Sequence, residues 1–150
     1  MYDFEKLDKR KILLGYIFLV SNRLQTVMDN KIPELSAKQW FVSIMLGMFD
    51  EPPTLKQLAE MCCSSHQNTK QIVLKLEEKG FLAIYDDKDD KRAIRIKATD
   101  KLRKWERTTQ QSANDFLSAM FSDLSQEQLL ELSESLGKIH KKLGQILGNS

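Results

Sequence analysis

"SSHQNTKQIVLKLEEKGFLAIYDDKDDKRAIRIKA", residues 64–98, is the stretch whose reading decides the fold of this chain. It opens with Ser64 and Gln67 at capping-box spacing and continues with Thr69, Ile72, Val73 and Leu76 on one face of a helix. Gly80 then stops the helix, at a place suited to the left-handed position that follows a helix end. Two short strands follow, residues 81–85 and 93–98, the second alternating by two. The polar run "DDKDDKR" between them reads as a hairpin tip longer than a two-residue turn.

The polar half of that helix is unusual. Ser65, His66, Gln67, Asn68, Lys70 and Gln71 crowd turns where a scaffold helix favours Glu, Ala and Leu. Residues 64–76 carry Lys70 and Lys75 with no acid, and residues 91–97 carry Lys91, Arg92, Arg95 and Lys97 with none. The whole chain has 23 basic and 21 acidic residues and a net charge of only +2, so any basic footprint is local.

Outward from this stretch, helix starts recur as Ser/Thr-x-x-Gln at Ser36–Gln39, Thr54–Gln57 and Ser125–Gln128. A first helix is expected over 4–31, with Leu13, Ile17, Leu24, Val27 and Met28 roughly along one side, ended by Pro33. A second, "SAKQWFVSIMLGMF", is apolar nearly all round and is expected to be central and buried. After the turn "DEPPT" comes the short helix "LKQLAEMC", then the quoted segment. Downstream, residues 99–121 read as a long helix with Leu102, Trp105, Phe116, Leu117, Met120 and Phe121 apolar. In the last helix Leu129, Leu132, Leu136, Ile139, Leu143 and Ile146 step by 3 and 4, a heptad seam.

Two helices followed at once by a β-hairpin make a winged helix-turn-helix. The expected fold class is mainly α (α+β), in one domain of 150 residues. The winged lobe is expected at about 36–98, and the long end helices, 4–31 and 99–147, form a dimerisation lobe. The seam of Leu129, Leu132, Leu136, Ile139 and Leu143 is its expected interface.

In a helix-turn-helix the second helix enters the major groove with its N-terminal residues on base edges. Ser65, His66, Gln67, Asn68, Lys70 and Gln71 are the expected readers, since Asn and Gln bond adenine bidentately and Lys reaches guanine or phosphate. Lys75 and Arg95 are expected on the DNA backbone. Arg92, beside Lys91 and held extended by Asp90, is expected in the minor groove. A partnerless polar surface helix and a solvated loop are the bland alternatives.

"LKQLAEMCCSSHQNTKQIVLKLEEKGFL", followed by "DKDDKR" and "IKATDK", resembles the MarR family of transcriptional regulators. The Asp-x-x-Asp-x-Arg of that family's wing is matched by Asp87, Asp90 and Arg92, and its Leu-Thr pair by Ala98–Thr99. "LSAKQW" (35–40) is similar to its second-helix opening, and the likeness spans about residues 5 to 147. The resemblance implies a homodimeric regulator, a repressor in this reading, on a pseudo-palindromic double-stranded DNA operator. It also implies release by a small, often aromatic and anionic ligand held between the lobes, or oxidant sensing through cysteine. The chain departs from the pattern at Cys63, often Gly, and at Thr69, commonly apolar.

Tyr16, Trp40 and Met45, with Phe18, Phe41 and Met48 nearby, are candidates for a ligand cleft; core packing is the other reading. Adjacent Cys62 and Cys63 are candidates for redox sensing, against a structural role as small buried hydrophobes. Two histidines and two adjacent cysteines offer no metal-ligand spacing, and no cofactor is expected. No P-loop, dinucleotide turn or nucleophile elbow is present, so an enzyme is not expected. Hydrophobic content of 41% and charged content of 29% suit a globular chain. "MYDFEKLDKRK" lacks a signal-peptide core and no apolar run reaches membrane length, so a cytoplasmic protein with no membrane partner is expected. A winged helix that binds protein instead of DNA stands as a further alternative.

Overall fold

The computed structural model describes residues 8–148. The order is α1 (Lys9–Lys31), α2 (Ala37–Leu46), α3 (Leu55–Met61), α4 (His66–Glu78), β1 (Leu82–Asp86), β2 (Ile94–Ala98), α5 (Asp100–Met120) and α6 (Gln126–Ile146). The winged helix-turn-helix arrangement is therefore as expected. An N-terminal start of α1 at Phe4 lies outside the described residues; Asp8 caps the helix by accepting the Arg10 N–H at 2.9 Å. The described residues divide into two compact units, one through Lys104 and one from Trp105, so α1 groups with the winged helix.

Three of the four capping boxes form: Ser36 with Gln39, Thr54 with Gln57 and Ser125 with Gln128. The fourth does not. Ser65, not Ser64, caps α4 by accepting the Asn68 N–H at 3.2 Å. The cause lies in the preceding turn. The Cys63 N–H donates to Glu60 O at 3.0 Å and the Ser64 N–H to Ala59 O at 3.1 Å, which closes α3 with Cys63 in the left-handed region at φ +49°. Ser64 belongs to that closing turn and cannot also cap the next helix. Cys63 thus takes a conformation that glycine adopts without strain.

α4 ends by the same device with the expected residue. Gly80 has φ +78°, its N–H donates to Glu77 O at 2.8 Å, and the Phe81 N–H donates to Leu76 O at 2.9 Å. Leu76 and Phe81 are both fully buried, the apolar contact that accompanies this motif. The winged lobe closes around them with Leu58, Thr69, Val73, Ile96 and Leu102. The Thr69 hydroxyl donates to Ser65 O at 3.1 Å, so a polar residue at an apolar position is satisfied within the helix.

β1 and β2 pair antiparallel, Leu82 opposite Ala98 and Asp86 opposite Ile94. The far edge of β2 is also occupied: the Ile96 N–H donates to Pro53 O at 3.0 Å and Thr54 bridges Arg95. The hairpin is thereby fastened to the segment that starts α3. The Thr99 hydroxyl lies 2.7 Å from Gly80 O and 2.9 Å from Phe81 O, joining the start of α5 to the end of α4.

α2 departs from expectation. It buries Ala37, Gln39, Val42, Ser43 and Leu46, while Phe41 is exposed and Trp40, Ile44 and Met45 are half-buried. Its neighbours cover one side, and two polar residues fit that side because Gln39 serves the capping box and Ser43 donates to Gln39 O at 2.9 Å. On α1, likewise, Leu13 and Ile17 are exposed within the single chain, and Met28 alone is buried.

Candidate nucleic-acid interface

Thr69, Val73 and Leu76 fix the rotation of α4, because each is at most 1% exposed. At about 100° per residue, Gln67 and Gln71 point directly away from that face. Asn68 and Lys75 lie on one flank, His66 and Lys70 on the other, and all of these side chains are exposed. Of the six expected readers, Gln67 and Gln71 thus stand at the outward crest with Asn68 and Lys70 on its flanks, His66 lies nearer the core side, and Ser65 is the N-cap whose hydroxyl accepts the Asn68 N–H. The first turn contains no acid and its N-cap is Ser65. Its remaining free backbone N–H groups favour an anion.

The wing is built differently from expectation. Asp90 does not hold the Arg92 guanidinium: its Oδ1 accepts the Arg92 backbone N–H at 2.9 Å, and the Ala93 N–H donates to Asp90 O at 2.9 Å. Two residues apart in a tight turn, a short carboxylate reaches the following backbone N–H more readily than a long side chain's end. Arg92 and Lys91 are left exposed at the tip. The carboxylate–guanidinium pair forms instead between Asp87 and Arg95.

Arg95 was expected on DNA phosphate, yet its Nε donates to Asp87 and its Nη1 donates to Pro52 O at 2.7 Å. It positions the wing. Asp87 is buried; its Oδ1 accepts the N–H groups of Asp89 at 2.8 Å and Asp90 at 2.9 Å. These two backbone donors, then the Arg95 side chain, hold its carboxyl below the ordinary 3.8. The pattern was legible in principle, since an Asp followed by N–H groups two and three residues on is a common turn former.

Cys62 ends α3 as its C-cap and is buried. Burial, and next the neighbouring Cys63, push its thiol up to about 11. A thiol held protonated in this way is not poised for redox sensing, which leaves Cys62 in the structural role of a small buried hydrophobe. Cys63 is exposed. Of the ligand-cleft candidates, Tyr16 is exposed on α1, and Trp40 and Met45 are half-buried on α2. Among the described residues no group of three His, Cys, Asp or Glu side chains could hold a metal. No helix among them is long and apolar enough to cross a membrane.

No family model and no curated relative matches the chain. Solved structures do. The organohalide-sensing transcriptional regulator RdhR, in its 2,4-dichlorophenol-bound form, superposes with a TM-score of 0.83 at 22% identity, over 95% of this chain and 85% of that one. A MarR/EmrR family transcriptional regulator from Acinetobacter sp. ADP1 gives 0.79 at 15% identity, over 93% and 99%. S. aureus MepR, solved as a complex with DNA, gives 0.74 at 18% identity, over 85% and 96%. The chain has the winged-helix fold of MarR-family regulators.

Proposed function

We propose that this chain is a MarR-type transcriptional regulator and not an enzyme, binding double-stranded DNA as a homodimer on a pseudo-palindromic operator. One observation carries the reading: the core contacts of Thr69, Val73 and Leu76 turn an acid-free ridge of Gln67, Asn68, Lys70 and Gln71 outward on the second helix of a helix-turn-helix. Gln67 and Gln71 read bases, Lys75 contacts phosphate, and Arg92 and Lys91 at the wing tip enter the minor groove. The fold likeness to a regulator solved on DNA supports this.

The dimer is supported by what the chain leaves uncovered. α6 has no buried residue, and Leu132, Leu136, Ile139 and Leu143 of its seam are exposed. On α1, Leu13, Leu14, Tyr16, Ile17, Phe18, Leu19 and Val20 are all exposed, Phe18 by 64%. Apolar side chains in such number on each of these helices are not left in water, and a second copy is the partner that a heptad seam selects. Repression, and release by a small aromatic or anionic ligand near Tyr16, Trp40 and Met45, complete the proposal. The aromatic ligand of a structural neighbour supports the latter.

The test is selection from a randomised duplex pool at moderate salt with competitor DNA. Recovery of a two-fold symmetric site is expected. Retention without a motif would replace the regulator with a sequence-neutral binder, and no retention would remove DNA binding.

A further inference from the structure

Among the apolar residues of α4, Val73 and Leu76 are buried and Ile72 is half-buried, but Leu74 is 45% exposed. A single exposed leucine is ordinary on a protein surface. Its position here is not. With Thr69, Val73 and Leu76 facing the core, Leu74 falls on the outward side beside Gln71, three residues earlier, and in line with Gln67. It is the one apolar side chain on the crest of a polar ridge, with Lys70, Gln71, Lys75 and Glu78 around it.

The major groove presents donors, acceptors and one apolar group, the C5-methyl of thymine. A leucine on a groove-facing ridge has that methyl as its fitting partner, since every other base edge would face it with an unmet hydrogen bond. The helix rises about 1.5 Å per residue, so Leu74 lies roughly 4.5 Å along the axis from Gln71, about one base step further.

We propose that Leu74 determines specificity: it packs on the methyl of a thymine in each half-site, next to the base pair that Gln71 addresses. This rests on the reading of α4 as a major-groove helix. A protein partner is less well served, because the leucine stands alone among polar neighbours and forms no patch.

The test uses the duplex recovered from the randomised pool. Each thymine in a half-site is replaced in turn by deoxyuridine, which removes the methyl alone. Affinities are measured for the unsubstituted chain, for Leu74→Ala and for Leu74→Gln. Both replacements are good helix formers at an exposed site, so either variant suffices if the other is poorly folded. One thymine per half-site is expected to lose about four-fold in affinity on losing its methyl, the worth of one buried methyl-sized group. The variants are expected to show no such loss there. If no thymine responds, or the same thymine responds equally in the variants, Leu74 does not read it, although α4 still binds DNA. If the pool yields no site, the DNA reading falls, and Leu74 with it.

Discussion

Asp87 and Arg95 tie the two strands of the wing together, and the same carboxylate folds the tip. Asp87 follows β1 and its Oδ2 accepts a hydrogen bond from the Arg95 Nε–H on β2, while its other oxygen accepts from the Asp89 and Asp90 N–H groups. Arg95 carries the connection on to Pro52. A hairpin tip with four aspartates is thereby given shape: Asp87 turns inward, Asp86, Asp89 and Asp90 stay in solvent, and Arg92 projects from the end.

That arrangement has a pH signature. Three donors favour the charged carboxylate, so the Asp87 carboxyl in the folded chain titrates below its ordinary 3.8. A group whose folded pKa is depressed contributes stability above its unfolded pKa and loses it as pH falls through the folded value. Asp87→Asn should therefore destabilise the wing at neutral pH, and its difference from the unsubstituted chain should shrink in acid below 3.8. Carboxyl NMR across that range measures it; an Asp87 midpoint at or above 3.8 would contradict the account.

The rotation of α4 ranks its proposed readers. Gln67 and Gln71 stand at the crest and Asn68 on the flank. Gln71→Ala should cost on the order of 1–3 kcal/mol on a selected operator and little on random DNA. Competition binding on both duplexes decides it. An equal loss on the two would make Gln71 a backbone contact.

Cys63 holds a left-handed conformation at φ +49° that costs a residue with a side chain roughly 1–2 kcal/mol. Cys63→Gly should relieve part of this, raising stability by about 1 kcal/mol less glycine's greater freedom in the unfolded chain. Chemical denaturation reads the sign. A lower midpoint would mean that the cysteine's own contacts outweigh the relief.

The exposed seam of α6 is expected to bury itself against a second copy. Leu136→Glu with Ile139→Glu places two charges in that seam and should give monomer or insoluble protein. Sedimentation distinguishes the outcomes, and an undiminished dimer would put the interface elsewhere.

Local rules carried the reading of the sequence a long way. Ser36, Thr54 and Ser125 sit where capping boxes were expected, and Thr69, Val73 and Leu76 form the expected core face. Errors arose where two local signals competed. Ser64 and Ser65 both suit an N-cap, and the closing turn of α3 through Cys63 selects the second. Asp90 and Asp87 both offer a carboxylate to an arginine; turn geometry gives Asp90 to a backbone N–H, and strand pairing brings Arg95 to Asp87. Pro52, the anchor for Arg95, is 43 residues away and leaves no mark in any local pattern. The composition of α2 predicts burial all round, but composition records how apolar a helix is and not which side its neighbours cover, and Phe41 is exposed.

The proposed dimer presents two copies of α4 to neighbouring major grooves, and footprinting of the selected duplex tests this most directly. Two protected tracts related by a dyad are expected, about one helical turn or roughly 10 bp apart centre to centre. Both should vanish when Gln67 and Gln71 are replaced together by alanine. A single tract without symmetry, or protection that survives the double replacement, would contradict the account.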